Sequence, residues 1–197
     1  MSDTLSDAAL DTLFRTARSY YSYTDQPVTE DDLHAIWELM KWGPTSANQL
    51  PARLVWCTSQ EAKERLAACC SAQNQPKVLN APVTVIVGMD VEFHEHLPEL
   101  FPHTDAKAWF DGNTELREAS AFRNSTLQGA YFIVAARALG FDTGPMSGFD
   151  QGAVDKAFFA DQPGVRSNFI ATLGHGDPTH LHARLPRPAF ERFNRIA

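Results

Sequence analysis

Scattered arginines, one asparagine–lysine pair and two polar, glycine-bearing loops are the residues here with useful ligand chemistry. Arg18-Ser19 closes the first helical stretch, Asn74 and Lys77 precede an apolar strand, and Arg184 and Arg187 lie near the C-terminus. Phosphate is held by charged, bidentate or hydroxyl donors converging from separate segments, and these are suitable types. Taken singly, each is also an ordinary solvated cation. Gly43-Pro44-Thr45-Ser46-Ala47-Asn48-Gln49-Leu50-Pro51 sets hydroxyls and amides at close spacing between two prolines. Such a loop presents fixed hydrogen-bonding groups to a planar heterocycle, and reads equally as a polar connection. Gly140 to Phe149 carries three glycines and Pro145, so its backbone has unusual dihedrals and room for close approach. An N–H there can meet a ring nitrogen; a helix cap followed by a turn fits equally well.

Other chemistries have weaker claims. His94-Glu95-His96 and His180-Leu181-His182 are close pairs, but no third ligand stands at a supporting spacing, and neither forms the His-Glu-x-x-His helix motif. Solvated loop histidines and no metal are the expectation. Gly-x-Ser-x-Gly is absent, the nearest string being Met146-Ser147-Gly148, so no hydrolase triad can be argued. Cys57, Cys69 and Cys70 lack metal-ligand spacing and read as reduced core thiols.

The elements that must position these groups follow from periodicity. Leu10, Leu13, Phe14 and Ala17 predict a helix over Asp7 to Arg18, capped by Ser6 or Asp7. Thr29 with Asp32 resembles a capping box, opening a helix whose face is Leu33, Ile36, Trp37 and Met40 and which Gly43-Pro44 stops. Leu54–Cys57, Val83–Val87 and Phe169–Leu173 read as buried strands, with a short helix carrying Ala62, Leu66 and Cys69 between the first two. Ala119 to Leu139 predicts a core-buried helix ended by Gly140, and Asp150 to Phe159 another helix. The irregular alternation suggests one α+β domain over residues 1–197, without repeats or linkers.

Composition narrows the setting. Seventeen basic against twenty-four acidic residues give a net charge of −7, which argues against a nucleic-acid binder. No apolar run spans a bilayer: the longest candidate, Ala130 to Leu139, is interrupted by Arg137. Met1-Ser2-Asp3-Thr4 offers no basic-then-apolar export signal, so a cytoplasmic protein without membrane contact is expected.

Taken together, these segments resemble the nitroreductase superfamily in order along nearly the whole chain. The resemblance rests on Arg18-Ser19, Pro27-Val28, Trp42 to Asn48, Pro51, Asn74, Lys77, Leu139-Gly140 through Phe149, Leu173-Gly174 and the C-terminal arginines. Met40 to Asn48, Leu100-Phe101-Pro102-His103, Ala121 to Ser125, Asp142 to Asp150 and Ala183-Arg184-Leu185-Pro186-Arg187 look more specifically like the RutE-like malonic semialdehyde reductases. Two departures stand out. Tyr21 replaces a second basic residue, and Leu50-Pro51-Ala52 replaces a frequent Gln-Pro-Trp.

The resemblance implies a nitroreductase-like α+β fold: a mixed, largely antiparallel sheet layered with helices in an intertwined homodimer. It also implies FMN at the interface, with NADH or NADPH delivering hydride to flavin N5 and a small-molecule substrate removing it. By that likeness, Arg18, Ser19, Arg184 and Arg187 hold phosphate, while Asn74 and Lys77 meet the ribityl chain and ring edge. Pro145, Met146, Ser147 and Gly148 face N5, and Pro44, Thr45, Ser46 and Asn48 complete the partner's pocket. Malonic semialdehyde going to 3-hydroxypropionate is the sharpest substrate expectation. A broad nitro- or quinone reductase and a non-catalytic FMN store stand as alternatives. The stretch between Gly88 and Ala119 carries Phe93, Phe101, His103, Trp109 and Phe110. It reads as a lid over the ring or as aromatics packed on the surface. Arg123, with Lys107 second, is the candidate for a substrate carboxylate, and His103 for a proton to the carbonyl.

Overall fold

The computed structural model describes residues 4–197. Met1, Ser2 and Asp3, weighed above for an export signal, lie outside them. Ser6 caps α1 (Asp7–Leu10), accepting from the Ala9 N–H at 3.2 Å. The chain then widens into a π turn over Asp11–Arg15, closed where the Thr16 N–H donates to the Asp11 carbonyl at 2.9 Å. The expected helix to Arg18 therefore stops at Arg15, and Arg18-Ser19 lies in extended chain beyond it.

The expected capping box is present at α2 (Glu30–Met40). Asp32 Oδ2 accepts from the Thr29 N–H at 2.8 Å and from its hydroxyl at 2.7 Å, while the Asp32 N–H donates to Thr29 Oγ1 at 3.3 Å. Next come β1 (Ala52–Cys57), α3 (Gln60–Ala67), α4 (Gln75–Asn80), β2 (Val83–Asp90) and the short α5 (Leu97–Leu100). Cys69 falls beyond α3, and Lys77 sits on α4. The long α6 (Thr114–Ala138) precedes β3 (Asp142–Met146), α7 (Gln151–Phe158), β4 (Val165–Gly174) and the terminal turn α8 (Phe190–Phe193).

The four strands form one sheet in the order β1-β2-β4-β3, every named pair antiparallel, with a register shift between Val87 and Gly88. A parallel bridge from Ser19 to Thr143 is its mixed element. Strand periodicity splits the core. Val83, Val85 and Val87 pack with Leu33, Ile36 and Phe132 on the α2–α6 face, whereas Ile86 and Ile170 pack with Leu66, Val78 and Val154 on the other. The architecture is α+β, as read. No helix of the described residues is long and apolar enough to cross a membrane.

Two readings of the central segment are corrected. First, α6 starts five residues before Ala119 and is buried on one side only: Phe122, Leu127 and Tyr131 are exposed. Its all-round apolarity does not come from enclosure within this chain. Second, Asp142–Met146 is a strand, not part of a loop. Proline and glycine hid it, but an edge strand accommodates both. Gly140 does end α6, at φ 83°.

Thr29→Ala should lower unfolding free energy by about 1 kcal/mol at neutral pH, measured by urea titration. The backbone and side-chain hydrogen bonds from Thr29 hold the Asp32 carboxyl below its usual range. Its contribution is then present above the ordinary carboxylate pKa and fades as pH falls through the lowered one. The stability gap between the wild type and Asp32→Ala should accordingly narrow on acidification.

Candidate functional site

The arginines converge because two remote segments are tied together. Arg18 Nη2 donates to the His182 carbonyl at 2.5 Å, and Arg184 Nη2 donates to the Ala17 carbonyl at 2.8 Å. The Arg18 segment is also laid on β3, where the Tyr20 N–H donates to the Thr143 carbonyl at 3.0 Å. Only glycine permits this at position 144, since a Cβ there would lie 2.1 Å from the Tyr20 carbonyl oxygen.

Between the tied segments lies a cavity of about 580 Å³, lined by Arg15, Arg18, Ser19, Arg137, Arg184 and Arg187 among others. Arg15 is neutralised by Asp7 at 2.7 Å and Asp11 at 3.1 Å. None of the other arginines has a carboxylate within 4.0 Å among the described residues. Arg18 and Arg184 donate to backbone carbonyls there, and the exposed Arg187 meets only those of Leu185 and Pro186, both at 3.3 Å. The chemistry of this donor set suits a phosphate.

A second group forms around α4. The buried Asn74 donates through Nδ2 to the Gly148 carbonyl at 3.2 Å and accepts from Lys77 Nζ at 3.0 Å. The Ser71 N–H donates to Gly148 at 3.0 Å, and the Asp150 N–H to the Cys69 carbonyl at 2.8 Å. Asn74, Lys77 and the Ser147-Gly148 backbone are thus held as one unit. Pro145, Met146 and Ser147 border a shallow hollow of about 310 Å³ with Thr126, Ala130 and Phe169.

The third group is the loop after α2. Ala47, Asn48 and Leu50 adopt φ of 49°, 49° and 39°, a left-handed backbone costly for L-residues. Side chains spaced four apart on the buried side of α6 hold it. Asn124 Oδ1 accepts from the Ser46 N–H and Gln128 Oε1 from the Ala52 N–H, both at 2.8 Å, and Gln49 Nε2 donates to Ser120 Oγ at 3.1 Å. The Leu50 N–H also donates to Thr45 Oγ1 at 3.2 Å. Pro44, Ser46 and Asn48 are exposed, and no residue of this loop lines the arginine cavity of its own chain.

The substrate candidates fare differently. Arg123 stands on the exposed side of α6, and His103 is exposed with its ring 5.4 Å from Phe101. Lys107 is engaged by Glu95 at 2.6 Å, which argues against it as a carboxylate clamp. Phe93 and Phe110 meet edge-to-face at 4.9 Å inside a small core, leaving Phe101, His103 and Trp109 at its rim. His94 is buried rather than solvated, with Glu92, Glu95 and Asp111 at 3.6–3.7 Å. No cluster suited to a metal occurs among the described residues. The cysteines are free, and burial pushes the Cys57 and Cys70 thiols up to about 11, so both stay protonated and inert.

Residue types alone did not single out Ser120, Asn124, Gln128 or Arg137. The available signal was polar residues every fourth position along an apolar helix, and one charge inside an apolar run.

Fold and site together define an α+β protein with an arginine-lined cavity and a preorganised polar loop. The pattern of the Nitroreductase family matches residues 14–175, and the chain belongs to that family. It is 57% identical over all 197 residues, and over the whole relative, to a Stenotrophomonas maltophilia protein named as an NADH dehydrogenase/NAD(P)H nitroreductase. The fold is similar to a nitroreductase structure from Bacillus subtilis, with a TM-score of 0.84 and 22% identity, covering 96% of this chain and 99% of that one. It is also similar to a nitroreductase from Exiguobacterium sibiricum in complex with FMN, at TM-score 0.82 and 20% identity over 100% of both chains.

Gly144→Ala should displace the Ser19-Tyr20 segment. Overpacking of this kind costs about 1–3 kcal/mol and should weaken protection by inorganic phosphate in thermal melts. Gly152→Ala is the control: its new Cβ meets nothing nearer than Asp150 Oδ1 at 3.6 Å, and phosphate protection should be unchanged.

Proposed function

We propose that this protein is a cytoplasmic FMN-dependent NAD(P)H oxidoreductase, with residues 1–197 forming one flavin-binding domain in a homodimer. The observation that carries this reading is the carboxylate-poor arginine cavity, in a chain that also fixes Asn74 and Lys77 as a polar cluster. Arg18, Ser19, Arg184 and Arg187 would hold the phosphate, and Asn74 and Lys77 the ribityl chain and ring edge. The Lys77 ammonium would stabilise negative charge developing on the ring. The backbone of Pro145, Met146, Ser147 and Gly148 would border the reactive edge. Bound FMN would supply the hydride-transfer chemistry between NADH or NADPH and a small acceptor. The FMN in the Exiguobacterium protein and the NAD(P)H in the Stenotrophomonas protein's name support both assignments.

A homodimer is supported by what one chain leaves exposed. Pro44, Thr45, Ser46 and Asn48 are positioned at high backbone cost yet serve no cavity described in their own chain. Trp42 is 77% exposed beside them, and Phe122 and Tyr131 are open on α6. A groove of about 770 Å³ follows the edge strand β1, lined by Val28, Leu33, Trp37, Leu54 and Trp56. The C-terminal arm carries Leu185, Phe190, Phe193 and Ile196 exposed, suited to lie against a second copy. Light scattering should give a dimer at micromolar concentration; a monomer that binds FMN tightly would contradict the shared site.

For the substrate, the RutE-like strings support malonic semialdehyde, reduced to 3-hydroxypropionate, with Arg123 receiving the carboxylate and His103 beside the carbonyl. The name of the Stenotrophomonas protein favours a second reading, a broader reductase of nitroaromatics or quinones. The test begins with an absorbance spectrum of purified protein and anaerobic titration with NADH and NADPH. Bound flavin should bleach, and the semialdehyde should restore its colour faster than a nitroaromatic does. Bleaching without reoxidation by either acceptor would leave a non-catalytic store, and protein that FMN cannot reconstitute would end the flavin reading. Alanine at Arg18, Arg184 or Arg187 should each weaken FMN binding about tenfold or more, the scale of one lost charge-assisted hydrogen bond.

A further inference from the structure

Arg137 has no place in the readings above. It stands in the last turn of α6, where a cation suits the helix dipole and normally reaches solvent. Instead it is half-buried against the N-terminal segment, with Nη1 donating to the Leu13 carbonyl at 3.0 Å. Its Nε is buried without an acceptor. No carboxylate stands within ion-pair distance; Asp142 acts on it only from farther away. Burial holds its pKa below the usual arginine range, and the neighbouring Arg184 adds to the effect. A half-buried cation with one N–H unpaired and no carboxylate in contact is a costly feature unless an anion completes it.

The cavity that would admit such an anion is already described, for Arg137 lines it together with Arg18, Arg184 and Arg187. Together with the equally half-buried Arg18, it also lines a smaller recess of about 240 Å³ that includes Thr12, Thr16 and Asp142. It therefore stands on the inner side of the pocket, while Arg184 and Arg187 lie exposed at its mouth. Mouth arginines sit in high dielectric and are screened by salt; a half-buried one is screened much less.

We propose that Arg137 is the inner phosphate-binding residue of the arginine cavity and makes the pocket prefer a phosphorylated flavin over the same flavin without phosphate. The proposal rests on the FMN reading for its ligand, and on the cavity alone for its anion. A purely structural role, holding the Leu13 carbonyl, predicts something different: loss of stability without regard to phosphate.

The experiment uses full-length protein freed of bound flavin, as the wild type, Arg137→Gln and Arg137→Lys. Dissociation constants for FMN and riboflavin are measured by quenching of flavin fluorescence, and thermal melts are recorded with and without inorganic phosphate. Arg137→Gln should raise the FMN constant at least tenfold while moving that of riboflavin less than twofold. It should abolish the phosphate-induced rise in melting temperature, and its melting temperature without ligand should not fall. Arg137→Lys should recover part of the FMN preference. An unchanged FMN constant in Arg137→Gln overturns the proposal, as does an equal loss for FMN and riboflavin. If phosphate protects the wild type through Arg137 but neither flavin binds, the flavin reading fails and the anion site stands. If phosphate and FMN both leave the wild type unaffected, both readings fall.

Discussion

The amide ladder on α6 is the constraint on which the rest of the molecule depends. Asn124 and Gln128 take the N–H groups of Ser46 and Ala52, two points that a helix holds about 6 Å apart along its axis. The six-residue step between those N–H groups would span about 20 Å if extended. The chain has to fold back on itself within that distance, which accounts for three left-handed residues with no glycine among them. Each such residue costs on the order of 1–3 kcal/mol, so the loop persists only because both ends are pinned. The same ladder sets where β1 begins, and through β1 the edge of the sheet. Loop geometry and sheet position are therefore one decision, made by the buried side of a single helix.

The other end of that helix organises the second half of the molecule. Gly140 turns the chain back, and β3 joins β4 as an edge strand whose outer side receives Ser19 and Tyr20. Gly144 is required here for its missing Cβ, because the Tyr20 carbonyl occupies that space. Beyond β3 the chain returns past Asn74, whose amide donates to the Gly148 carbonyl and accepts from Lys77.

Much of this was legible in the residues, and the exceptions have physical causes. The capping box of α2 and the central strands follow from short-range pattern, and the structure places them as read; the arginines line one cavity, although Arg18 lies beyond the helix expected to carry it. The strand β3 did not, because Thr143-Gly144-Pro145 has turn composition, and only knowledge of the sheet edge reveals that Pro145 needs no outward N–H. The exposed apolar side of α6 was misread as core because periodicity reports apolarity and is silent on what covers it. Lys107 and His94 look like free ligand groups in sequence. Both are engaged by acids, Lys107 by Glu95 across twelve positions and His94 partly by Asp111, seventeen positions away. The polar rungs of α6 were visible only as interruptions in an apolar helix. Their meaning needed the loop they hold.

The paired arginine–carbonyl ties between residues 17–18 and 182–184 also bear on how the chain is made. Contacts separated by 164 and 167 positions close a large ring. Closure entropy grows only slowly with ring size, about 0.6 kcal/mol per doubling, yet the contacts cannot exist until the chain has emerged through Arg184. Any anion that bound only the closed form would stabilise it by mass action, so its concentration would act as a clasp on the ring. Without that anion, slackness would be felt first where residues 17–18 meet residues 182–184.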